Sequence, residues 1–147
     1  MLFRSTHWGR GGDTVVATAS DYAGLAIHAA RLASGDLALL LVNKHATTDI
    51  NAQIALNGFI PGSATASVWR YGKSNDLASA DLTASTIANA AATFTHTFPS
   101  YSMTAIVLAK PLTPLEFWRQ ANFGSPANSG AGADSAEMGR ASCRERV

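Results

Sequence analysis

Ten Asp and Glu residues stand in a chain of 147, and a pair of carboxylates can supply the acid and the base of a hydrolase. Their placement argues against that use. No glutamate precedes Glu116, and Glu137 and Glu145 fall close to the C-terminus. Asp13, Asp21, Asp36, Asp49, Asp76 and Asp81 fall in turns or at strand ends, where aspartate bends and caps the backbone through its own side chain. His7, His28, His45 and His96 show no ligand spacing such as HxxxH, so no metal is expected. The serines form no GxSxG elbow. Gly9, Gly11 and Gly12 do not follow a strand and open a helix, as a phosphate loop would. Cys143 is the single cysteine, which excludes a disulfide framework or a cysteine metal set. No catalytic residue and no cofactor are therefore expected.

The aromatic residues carry more. Trp69 and Tyr71 lie two apart in an extended segment, so both rings point to the same face of a sheet. Trp8 lies near the start. Rings on a sheet face can stack on the apolar faces of sugars, so Trp69, Tyr71 and Trp8 are candidates for a carbohydrate platform. The commoner role of such rings is packing, in the core or against a neighbouring domain. His96 alternates with Phe94 and Phe98 and reads as a core or interface histidine. Asn43 reads as structural, at the end of a buried strand, and Tyr101 as an anchor of a strand corner through its hydroxyl.

The elements that position these residues are short strands. Residues 13–19 are rich in β-branched types. Residues 25–32 and 37–42 flank the turn signal Ser34-Gly35-Asp36 and read as a hairpin. In the second of these, Leu37, Leu39 and Leu41 face one way and Ala38, Leu40 and Val42 the other, the mark of a central strand. Ile50, Ala52, Ile54 and Leu56 share a face opposite Asn51 and Gln53. Residues 64–71 follow the Pro61-Gly62 turn. Residues 72–90 read as a long loop with one short strand around Thr86. Ala92, Phe94, His96 and Phe98 face inward until Pro99 breaks the run, and residues 102–109 form the last strand. About seven short strands between turn signals predict an all-β, antiparallel β-sandwich over residues 13–110. No segment before residue 112 has helical periodicity. Thr113 can cap a short helix with Pro114 at its first position, giving residues 111–124. Residues 125–136 are small and polar and read as a flexible linker.

Composition bounds the rest. The chain is 47% hydrophobic and 14% charged, with a net charge of +1: a globular domain with no electrostatic case for nucleic acid or membrane. Its longest apolar run, residues 37–42, is far short of the about 20 residues that span a bilayer. Residues 139–147, GRASCRERV, match the translation of a common sequencing adapter in one reading frame. Residues 137–147 are therefore expected to be an artefact. Without them eight Lys+Arg balance eight Asp+Glu.

Three stretches carry a family resemblance: GGDTVVATASDY at 11–22, LALLLVNKHATTD at 37–49 with its Val42-Asn43-Lys44 step, and FPSYSMTAIVLA at 98–109. In order and spacing they resemble the C-terminal β-sandwich of bacterial glycoside hydrolases, especially family 44 endoglucanases and α-L-arabinofuranosidases. The resemblance implies an accessory domain of a secreted, polysaccharide-degrading enzyme. It would pack beside a barrel that holds two catalytic glutamates, with residues 1–12 leading in from that upstream domain. It also implies that strands from before the barrel complete the sandwich. The glutamates have no counterpart here. The alternative is a free-standing carbohydrate-binding module. Residues 113–136 are similar to a linker, found in proteins of Verrucomicrobia and related bacteria, that leads into an Asp-rich calcium-binding segment. The similarity stops before those ligands, and Asp134 alone makes no calcium site.

Overall fold

A computed structural model describes residues 8–127 of the protein. Its strands, in chain order, begin with β1 (Thr14–Val16), β2 (Leu25–Arg31), β3 (Leu37–Asn43), β4 (Ile50–Ala55) and β5 (Ala66–Gly72). A short helix α1 (Lys73–Leu77) follows, then β6 (Thr83–Ile87), β7 (Thr93–Phe98) and β8 (Ser102–Leu108). Every strand pairing is antiparallel. One sheet has six strands in the order β1-β2-β3-β8-β5-β6, and the second pairs β4 with β7. The all-β sandwich holds, with eight strands. The strand expected around Thr86 is β6, and the rest of the expected loop also forms the short helix α1.

Period-two alternation places the core. Leu37, Leu39 and Leu41 of β3 lie opposite Leu108, Ile106 and Thr104 of β8, and Val68 of β5 lies opposite Ile106. All of these but Thr104 meet Ile54, Phe94 and Phe98 of the second sheet in one cluster. β3 is central, flanked by β2 and β8, as its apolar residues on both faces require. The β2–β3 turn closes by Gly35 N–H donating to the Leu32 carbonyl (2.8 Å), and Gly35 takes a φ of +90° that other residues rarely adopt.

The aspartates stitch this frame, as turn formers should. Asp13 accepts from the N–H groups of Arg10 and Ala33. Asp36 accepts from Lys110 N–H (2.8 Å) and the Ser34 hydroxyl (2.7 Å). Asp49 accepts from Ser100 N–H at 2.8 Å. Asn43, 2% exposed, fixes the β3–β4 connection to the end of β7. Its Nδ2 donates to the carbonyls of Thr48 (3.0 Å), Phe98 (2.9 Å) and Pro99 (3.0 Å), and its Oδ1 accepts from His45 N–H at 2.9 Å.

His96 is half-buried, edge-on to Phe98 with ring centroids 5.0 Å apart. Burial first, and then the Arg70 charge, hold its imidazole below the usual pKa of 6.5. The sign follows from linkage. Above pH 6.5 both folded and unfolded chains carry neutral imidazole. Below it the unfolded chain takes a proton that the folded chain refuses, so stability falls with pH. The melting temperature of His96→Gln is expected to fall less than the parent's between about pH 7 and about pH 5. Equal slopes in thermal melts across that window would show that His96 does not contribute.

The chain divides into two compact units, one ending at Pro111 and the next beginning at Leu112. In the second, α2 (Pro114–Phe123) starts with Thr113 as its cap. The Thr113 hydroxyl accepts from Glu116 N–H (3.2 Å), and the Glu116 carboxylate accepts from Thr113 N–H (2.8 Å). Gly124 ends it at φ +72°. The end of the linker and the adapter-like residues 137–147 lie outside the described residues, as do residues 1–7. No helix among the described residues is long and apolar enough to cross a membrane.

Candidate functional site

The six-stranded sheet has two faces, and register assigns them. One faces the β4–β7 pair. The other carries rows of opposed residues: Ala30, Ala38, Val107 and Ser67; then His28, Leu40, Ala105 and Trp69; then Ala26, Val42, Met103 and Tyr71. Most of this outer face is apolar. Ala38 and Ala105 are fully buried beneath the larger side chains around them.

Trp69 and Tyr71 do share this face, in adjacent rows. Trp8 lies toward its far end: a Cβ on the neighbouring Gly9 would come 3.3 Å from that of Ala30. Ala30 lies in the row of Ala38, and Tyr71 in that of Val42. Four residues along a strand separate these rows by about 13 Å. The backbone beside Trp8 therefore lies about 13 Å along the sheet from the Tyr71 row.

Beyond the Tyr71 row the sheet end opens into a groove of about 780 Å³. Val42 and Met103 line it from the sheet, Lys44 and Ala46 from the β3–β4 loop, Lys73, Asp76 and Leu77 from α1, and Tyr101 from the β7–β8 turn. Trp69 is not among the lining residues. The Tyr71 hydroxyl donates to Asp76 Oδ1 at 3.1 Å. That hydrogen bond, followed by burial and the carboxylate charge, raises the phenol pKa above its ordinary 10.0.

Helix α1 is set by Asn75. Its Oδ1 accepts from Gly72 N–H (3.1 Å), and its Nδ2 donates to the Asp81 carbonyl (2.7 Å) and Thr83 Oγ1 (3.1 Å). These bonds tie the helix across the β5–β6 connection and place Asp76 beside Tyr71. Tyr101 corrects an expectation. The residue is 62% exposed, and the corner is held by its backbone N–H, which donates to the His45 carbonyl at 2.8 Å. The residue sits at φ +50°, a left-handed conformation uncommon for a bulky side chain. Asp76, Tyr101 and the two lysines were not legible as a site, because α1 is only five residues long, too short for a period to show. The positive charges flanking 'Tyr-Gly' and 'Val-Asn' were the sole sequence signal.

No family model and no curated protein matches the chain. Solved structures do. A family 44 xyloglucanase from Paenibacillus polymyxa is 26% identical with a TM-score of 0.52, over 62% of this chain and 18% of that one. CelM2, a bifunctional glucanase-xylanase from a metagenome library, is 24% identical with a TM-score of 0.52, over 59% and 16%. A family 30 endoxylanase from Clostridium papyrosolvens is 18% identical with a TM-score of 0.56, over 68% and 24%. The fold is one that glycoside hydrolases carry. The chain spans between 16% and 24% of the length of these proteins.

Among the described residues no group of three His, Cys, Asp or Glu is placed to hold a metal. Three of the aspartates, Asp13, Asp36 and Asp49, hold turn backbone. Among the described residues that line the groove, Asp76 is the one carboxylate.

Proposed function

We propose that this chain is the non-catalytic, accessory β-sandwich of a secreted glycoside hydrolase acting on plant polysaccharide, of endoglucanase or α-L-arabinofuranosidase type. In this reading it buttresses a catalytic barrel encoded upstream in the same chain. The observation that carries the proposal is the outer face of the six-stranded sheet. An antiparallel sheet with one face in water alternates polar and apolar residues. Here Leu40, Val42, Met103 and Val107 make the outer face apolar too, while among the described residues the β4–β7 pair faces only the inner one. A second apolar face calls for a second partner.

The two-stranded sheet supports the same reading. Among the described residues β4 and β7 pair only with each other, so each leaves an edge that further strands can join. Strands preceding the barrel would fit there. Expressed alone, residues 1–112 are therefore expected to be marginally stable and prone to aggregate once unfolded. A fully reversible melt above about 65 °C, the upper end for ordinary domains, would count against the proposal.

The alternative, a free-standing carbohydrate-binding module with Trp69 and Tyr71 as its platform, draws on their shared face. Long-read sequencing of the source DNA separates the two. An uninterrupted upstream frame encoding a barrel with two strand-end glutamates supports the accessory role. A stop codon just before Met1 removes it.

A further inference from the structure

We propose that the groove at the Tyr71 end of the six-stranded sheet is a glycan subsite, in which Tyr101 and Tyr71 offer ring faces to sugars and Asp76 accepts from their hydroxyls. The inference rests on the carbohydrate association proposed above, but not on the presence of a barrel.

Tyr101 is the first reason. The β7–β8 turn is closed without its ring. Ser102 Oγ donates to the Pro99 carbonyl (2.6 Å), Ser100 N–H to Asp49 (2.8 Å), and Tyr101 N–H to the His45 carbonyl (2.8 Å). Glycine or asparagine suits φ +50° better than tyrosine. The turn therefore gains nothing visible from the aromatic side chain that it holds, mostly exposed, at the groove wall. Residues held in such sparsely populated conformations cluster at ligand clamps and active sites.

The chemistry of the lining is the second reason. A sugar ring has an apolar face and a rim of hydroxyls. The groove offers apolar surface from Val42, Met103 and Leu77, aromatic rings from Tyr71 and Tyr101, and a carboxylate at Asp76. Tyr71 uses only Oδ1 of that carboxylate and leaves Oδ2 as an acceptor. A volume of about 780 Å³ is that of a small-ligand cleft and accommodates a few sugar units.

The test uses the full chain, titrated with xylohexaose, cellohexaose and a xyloglucan heptasaccharide while amide shifts are followed by NMR. Saturable shifts in residues 43–46, 71–77 and 101–103 are expected with at least one of them. Tyr101→Asn keeps a residue suited to the left-handed turn and removes the ring. It should weaken binding by about tenfold without lowering the melting temperature. Asp76→Asn should weaken binding by about threefold, and Trp69→Ala should leave it unchanged. The proposal is overturned by no binding at the solubility limit of all three sugars, or by binding that survives Tyr101→Asn. Either result leaves the accessory reading intact, because that reading is decided by the upstream frame.

Discussion

Replacing Asn43 with alanine is expected to cost the sandwich about 3 kcal/mol, because several buried polar groups lose their partner at once. The amide Nδ2 carries two hydrogens and faces three carbonyls, those of Thr48, Phe98 and Pro99, all within 3.0 Å. Its oxygen takes the N–H of His45. Alanine leaves all four groups without that partner in a site that is 2% exposed. Asn43→Asp separates size from donation. It keeps the shape and the His45 bond but turns a charged acceptor toward carbonyl oxygens, so it should lose as much near neutral pH. Urea unfolding followed by tryptophan fluorescence measures both. A loss below about 1 kcal/mol for either variant, the worth of one ordinary hydrogen bond, would show that the clamp contributes little. The same clamp fixes the loop bearing Lys44 and the turn bearing Tyr101, so both variants should also lose glycan binding.

Phe98→Ala is expected to cost about 4 kcal/mol, in the range for removing a large ring from a closed core. Phe98 is fully buried at the end of β7, in the cluster shared by both sheets and against the His96 ring. Its removal leaves a cavity between sheets that β3, β8 and β4 hold apart. Phe98→Leu should cost distinctly less, since it keeps most of the volume. Denaturant midpoints at constant slope report the difference. Equal losses for the two variants would point to the ring's edge contact with His96, not the cavity. If the sandwich alone holds less than about 4 kcal/mol, Phe98→Ala will not fold, and near-ultraviolet dichroism will be flat while the leucine variant retains its signal.

Much of the frame was legible in the residues. Alternation in β4 and β7 determined which side chains face inward, because a strand offers only two faces and only one can bury Ile54 or Phe94; β3, apolar on both faces, left that choice to the register. Ser34-Gly35-Asp36 determined a hairpin because that turn needs a residue at positive φ. Thr113, Pro114 and Gly124 determined α2, because caps answer the unpaired groups at helix ends. The sequence also placed its first glutamate at Glu116, beyond the last strand of the sandwich. Only the tertiary structure decided the sheet order, in which β8 returns between β3 and β5, because strand pairing joins residues far apart in the chain. It also decided that Asn43 reaches Phe98 and Pro99, more than fifty positions onward, and that Tyr71 meets Asp76 across a helix too short to announce itself. Spacing along one strand put Trp69 beside Tyr71. The groove that takes Tyr71 and leaves Trp69 out is made by three connections converging on one sheet end, a relation that no local pattern in the sequence encodes.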